Sequence, residues 1–147
     1  MGLLGSNYFG KNIDPQKISA AINIEMIGKK SPFGPKSAWL TGFNRSDFGK
    51  IIQKNLIGSD YKVYPDPYVN FNLFFRSDNA SLARLGVPAH TFSTSPMDKD
   101  LNYHKVSDEV NTLDPYTISE TIKAIAAGTK SIIDGKDTPS RVTILKK

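Results

Sequence analysis

The sequence predicts an α/β fold with a mostly parallel sheet and helices on both faces. Three observations carry that reading. Apolar runs of strand length alternate with segments of helical period, in the order strand, strand, helix, strand, helix, strand, helix. The first run, Ala20 to Ile27, is almost continuously apolar, as in a strand buried on both faces of a parallel sheet. The last large segment repeats Ile118, Ile122, Ile125, Ala126, Thr129, Ile132 and Ile133 at helical spacing.

The elements follow in order. Leu3, Leu4, Tyr8 and Phe9 fit one face of a short opening helix. The first strand spans Lys17 to Ile27 and carries one carboxylate, Glu25, near its carboxyl end, just before Gly28. Pro32, Gly34 and Pro35 mark a loop. Ala38 to Phe43 reads as a second strand. A helix to about Leu56, capped by Asn44 or Ser46, shows Phe48, Ile51, Ile52 and Leu56 on one face and ends at Gly58. Tyr61 to Tyr64 is a third strand, stopped by Pro65. An aromatic-rich loop holds Tyr68, Phe71, Phe74 and Phe75. Packing beneath the loop is the simpler role for Phe71 and Phe75, whereas Tyr68 and Phe74 could also wall a pocket. Ser77 is placed to cap a helix over Asp78 to Leu85, which Gly86 and Pro88 close. Ala89 to Ser93 is the fourth strand. His90 lies inside it, where a hydrogen-bonded core histidine is commoner than a ligand. Asp114-Pro115 opens the long last helix, and Gly135 ends it. Residues 136–147 read as a tail, with Val142 to Leu145 a terminal strand or part of that tail.

Bulk properties narrow the function. A chain of 147 residues makes one ordinary domain. Its net charge of +5 is spread over scattered lysines and arginines, not gathered with aromatics on one face, so nucleic acid is not an expected partner. No apolar run approaches the ~20 residues of a membrane-spanning helix, and the chain shows no charged-then-apolar leader. The absence of cysteine excludes disulfides and thiolate metal sites.

Chemistry-bearing residues gather in two places. Leu101 to Asp108 holds one of only two histidines, His104, with Tyr103 before it and Asp108 four residues after. Glu25 sits where a buried carboxylate is costly unless paired or bound to metal. It could equally point outward at the strand end or pair with Lys29. Ligands in open α/β sheets bind at the carboxyl ends of strands, which favours a functional Glu25.

Three segments extend this reading: INIEMIG at 22–28, RSDNASLARLGVPAHTF at 76–92 and NYHKVSDEVNTLD at 102–114. With the opening GLLGSNYF, and in this order, the chain resembles the C-terminal half of the zinc-dependent aminopeptidases. That family includes aminopeptidase Y, bacterial leucyl aminopeptidases, glutamate carboxypeptidase and glutaminyl cyclase. The resemblance covers nearly the whole chain and implies a phosphorylase/hydrolase-like zinc-exopeptidase fold, with residues 1–147 the C-terminal part of one catalytic domain. It implies two zinc ions in the complete enzyme, a peptide substrate, and release of N-terminal residues by a metal-activated water. Glu25 and His104 are the metal ligands it implies, with Glu where the family often has Asp. Tyr103 would stabilise the oxyanion, and Arg76 would contact substrate. Asp78 and Asp108 would orient ligands and loops, although Asp78 could equally be a helix-start carboxylate.

The family's remaining ligands, an upstream histidine, an aspartate and a Glu-Glu pair, would precede Met1. The chain is therefore expected to be a fragment, inactive and weak in zinc binding on its own, that associates with the missing N-terminal half or with itself. Relatives of this type are commonly exported, which favours a periplasmic or extracellular location by analogy. Glutaminyl cyclase-like chemistry on one zinc is a second reading; a non-catalytic relative acting as a binding domain is a third.

Overall fold

The structure, a computed structural model, describes residues 2–143. Four strands form one sheet: β1 (Ala21–Ile24), β2 (Ser37–Leu40), β3 (Lys62–Pro65) and β4 (Ala89–Ser93), in the spatial order β1-β4-β2-β3. β1 is parallel to β4 and β2 is parallel to β3, while β2 and β4 meet antiparallel. The sheet is thus mixed and mostly parallel. The helices are α1 (Leu4–Lys11), α2 (Phe48–Asn55), α3 (Asn79–Ala83) and α4 (Pro115–Ile133).

Alternation along the strands divides the core into two layers. Ala38 and Leu40 of β2, Val63 of β3 and Phe92 of β4 pack with Phe48 and Ile52 of α2 and Ile125 and Ile132 of α4. On the opposite face Ala89 of β4 packs with Leu82 and Ala83 of α3, and with Phe74, Val87 and Val142. Helices cover both faces, as the pattern predicts.

Several expectations change in detail. β1 is shorter than the apolar run and is not buried on both faces. It pairs only with β4, so it forms a sheet edge, and Ile24 is 46% exposed. Leu4, Tyr8 and Phe9 of α1 are exposed too, although the helix forms. β2 ends at Leu40, because Gly42 turns into a 3-10 helix over Phe43–Arg45 before α2 begins. The buried stripe of α4 is Thr121, Ala124, Ile125, Gly128, Thr129 and Ile132, rotated from the one the isoleucines suggest; Ile122 and Ile133 face solvent. Small residues set that rotation, since they let α4 approach α2 closely. A Cβ at Gly128 would stand 2.7 Å from Ile52 Cγ2.

Helix ends explain where α3 and α4 start and stop. Asp114 Oδ1 accepts from the Tyr116 and Thr117 amides at 3.0 and 3.3 Å, with Pro115 at the first helical position. Gly86, at φ +82°, closes α3 with Gly86 N–H donating to Ala83 O at 2.9 Å and Val87 N–H to Leu82 O at 3.2 Å. Ser77 does not cap α3 by its side chain. Its hydroxyl turns to Asn79 Oδ1 and Thr91 Oγ1 instead. Val142 and Thr143 form no strand; each donates one backbone hydrogen bond, to Gly86 O and Arg45 O. Ile144 and Leu145 of the expected terminal strand lie outside the described residues.

Candidate functional site

Glu25 follows β1 directly, and its amide still donates to Phe92 O of β4 at 3.2 Å. The chain then bends, with Met26 at φ +53°. This bend is pinned by the end of β4. The Met26 carbonyl accepts from Ser93 Oγ at 3.0 Å, Ser95 Oγ at 2.9 Å and the Ser95 amide at 3.1 Å, and Thr94 Oγ1 donates to Lys29 O at 2.6 Å. The run Ser93-Thr94-Ser95 therefore fixes the backbone that carries Glu25. Sequence reasoning missed it; the signal was three hydroxyl residues at a strand end, each able to bond backbone locally.

Although Glu25 is exposed as a residue, its carboxyl group sits in a recess. Burial pushes its pKa above the usual range; hydrogen bonds from the Ser77 and Asn23 side chains oppose this, and the nearby Asp78 charge adds to it. A polar network backs the recess. Asn23 Nδ2 donates to Thr91 Oγ1 at 3.0 Å, Thr91 Oγ1 donates to Asn79 Oδ1, and Ser77 Oγ lies 2.8 Å from the same Asn79 oxygen, so its single proton serves either that oxygen or Glu25. Lys29 does not pair with Glu25. It donates to Thr112 O and Oγ1 at 2.9 and 2.7 Å and lies 3.7 Å from Asp108 Oδ1. Asp108 thus ties the loop after His104 to the loop after β1. Asp78 precedes α3 without a side-chain capping bond, and its charge adds to the rise in the Glu25 pKa.

Glu25, Arg76 and Tyr103, three of the residues singled out from the sequence, line one cavity of about 30 Å³ together with Trp39, Thr41 and Ser93. They come from distant parts of the chain and meet at the carboxyl ends of β1 and β4. Tyr103 and His104 stack, with ring centroids 3.9 Å apart. His104 takes φ +57° and does not line this cavity. Tyr68 stands edge-on to Trp39 at 5.7 Å, and its hydroxyl pKa is pushed up to about 12 by burial and by a hydrogen bond to Asp98. Phe74 is both core and wall: it is buried, with Arg45 stacked over it at 4.9 Å, and it lines a separate cavity with Gly42, Phe43 and Leu73. Phe71 is exposed and stacks on Tyr68, so it is not the buried packing residue its composition suggests. His90 is the buried, hydrogen-bonded strand histidine that was expected.

Residues 1–129 match the model of peptidase family M28. The chain belongs to that family. A search of curated proteins found no match. Members of the family are typically zinc-dependent.

Whether this chain's own residues fit such a metal can be judged from the donors. Among the described residues no group of three or more His, Cys, Asp or Glu side chains comes together. Zinc takes about four ligands, or three and a water. Glu25 and His104 are two candidate donors, and the described residues do not complete a site around them. Among the described residues no helix is long and apolar enough to cross a membrane.

Proposed function

We propose that this M28 chain carries the substrate-facing side of a zinc-dependent exopeptidase that releases N-terminal residues from peptides. The observation that supports this best is the convergence of Glu25, Arg76 and Tyr103 on one cavity at the carboxyl ends of β1 and β4. The Tyr103 hydroxyl would donate to the oxyanion formed as the scissile carbonyl becomes tetrahedral. Arg76 would hold a carbonyl or free carboxylate of the substrate. Glu25 and His104 would each contribute one metal ligand. Asp78 would set the orientation of Glu25, and Asp108, through Lys29, that of the His104 loop.

The partner in this reading is the polypeptide that completes the ligand set, either the N-terminal half of the domain or a second copy. The open edge of β1 and the exposed Leu4, Tyr8 and Phe9 of α1 support association, because an uncovered parallel edge is a pairing surface.

The test is hydrolysis of aminoacyl anilides with zinc present, by this chain alone and by the chain joined to the polypeptide encoded upstream. The expected result is no turnover and only weak zinc binding alone, and turnover when joined. In the joined protein Tyr103→Phe is expected to lower kcat about 100-fold or more, the usual cost of one oxyanion donor. Micromolar zinc affinity or turnover by the chain alone would refute the fragment reading. An inactive joined protein that binds zinc would refute the peptidase reading. Glu in place of the family's frequent Asp at position 25 favours one alternative, cyclisation of N-terminal glutamine, so a glutaminyl peptide belongs in the same assay.

A further inference from the structure

Trp39 is 2% exposed, and among the described residues its indole Nε1 is the one buried side-chain polar atom without a hydrogen-bond partner. Native chains rarely leave a buried donor unpaired, and the exceptions call for a specific acceptor. Trp39 lines the cavity shared by Glu25, Arg76 and Tyr103. At about 30 Å³ that cavity has room for one water-sized group and not for a side chain. Its hydroxyl walls are already engaged: Ser93 Oγ donates to Met26 O at 3.0 Å, and Thr41 Oγ1 accepts from the Thr91 amide at 3.1 Å. What remains on the wall is three donor groups, the Trp39 N–H, the Tyr103 hydroxyl and the Arg76 guanidinium, against one carboxyl, that of Glu25. Donors in excess around a space of this size select an acceptor oxygen.

We propose that Trp39 is a ligand-facing donor whose indole N–H holds an acceptor oxygen, from a carboxylate or a peptide carbonyl, in this cavity. Water takes the place of that oxygen in the free chain. The proposal rests on the exopeptidase reading for the identity of the ligand and adds to it a specificity-determining residue. By fixing one substrate oxygen at the cavity floor, Trp39 would set how deep the substrate sits between Arg76 and Tyr103. The competing fate for the indole N–H is the face of the Tyr68 ring, which lies at 70° to it.

The chain has a single tryptophan, so its indole N–H gives one isolated resonance in nitrogen-15 correlated NMR of the full chain. Formate serves as the carboxylate probe and formamide as the carbonyl probe. The expected result is a water contact at the indole proton in the free chain, and a saturable downfield shift with one of the two probes. The probe that acts identifies the source of the oxygen. In Trp39→Phe, which keeps a ring in place, that probe should bind about tenfold more weakly, read at the Thr41 and Ser93 amides. If the variant does not fold, the wild-type titration decides alone. An indole resonance that ignores both probes overturns the proposal, whether or not it contacts water. If that resonance also moves in Tyr68→Leu, the Tyr68 ring is the acceptor instead. Loss of the Trp39 shift leaves the peptidase reading standing, because hydrolysis by the joined protein judges that reading. A retained shift without hydrolysis refutes the peptidase reading and leaves the Trp39 donor standing.

Discussion

His90 makes the stability of this chain depend on pH, and the size of the effect can be worked from its surroundings. The ring is fully buried in β4, stacked on Phe48 at 5.0 Å. Nδ1 meets the Thr41 carbonyl at 2.9 Å, and a carbonyl only accepts, so Nδ1 carries the proton. Nε2 lies 2.8 Å from Ser46 Oγ and in the neutral ring accepts from that hydroxyl. Burial lowers the pKa from 6.5 to about 4; the Thr41 bond opposes this and the Arg45 charge assists it. The unfolded chain therefore takes up a proton near pH 6.5 that the folded chain refuses until about pH 4. Stability from this residue is fully present above pH 6.5 and is lost as pH falls toward 4. At about 1.4 kcal/mol per pKa unit, the loss is about 3 kcal/mol. The assay is urea unfolding at pH 7, 5.5 and 4 for the wild type and for His90→Gln, whose amide can still serve both neighbours. Carboxylates titrate in both proteins, so the difference between the two curves isolates His90. The wild type should lose about 3 kcal/mol relative to the variant between pH 7 and pH 4. Parallel curves would refute a neutral, desolvated His90.

Other outcomes follow from the same structure. Glu25→Gln removes a carboxylate whose pKa is raised in the folded chain. The folded state prefers the neutral form, so the substitution should raise Tm at pH 7 and have little effect at pH 4; a lowered Tm at pH 7 would contradict the recess. Gly128→Ala gains up to about 1 kcal/mol of helix propensity but sets a Cβ 2.7 Å from Ile52 Cγ2. Overpacking costs about 1–3 kcal/mol, so calorimetry should show a net loss; a gain would mean that α2 and α4 part without cost. Asp114→Ala removes the cap of α4 and should cost about 1 kcal/mol in denaturant unfolding. Lys29→Met cuts the tie to Asp108 and Thr112, and hydrogen exchange should quicken at residues 108–113; unchanged exchange there would show that Lys29 does not brace this loop.

Much of the fold was legible because its signals are local. The Asp114-Pro115 start, the Gly86 stop with Pro88 behind it, and the buried face of α2 all act within a turn or two of chain. The burial of β1 was not legible, because an apolar run states what a strand tolerates and not which strands flank it. The rotation of α4 escaped for a related reason. Isoleucine spacing marks a stripe, but close approach to α2 rewards Gly128 and Thr129 over Ile122 and Ile133. In the candidate site, Glu25, Arg76 and Tyr103 were singled out from the sequence and share a cavity. Trp39 is readable from the sequence as a core or pocket-wall residue, and it is both buried and on the cavity wall. The Ser93-Thr94-Ser95 clasp was missed, since hydroxyls in a polar loop look ordinary until their neighbours are known.

The sequence by itself determined the α/β class, the start of α4, the stop of α3 and the peptidase family. Those rest on side-chain type and short spacing, which survive without three-dimensional context. Only the tertiary structure decided that Lys29 serves Asp108 and Thr112 rather than Glu25, that His90 is a neutral core residue, and that β1 stands at an open edge. It also decided that the Trp39 N–H is left without a partner. Each of these depends on which groups distant in the chain come within a few ångströms, and on how much water their packing removes.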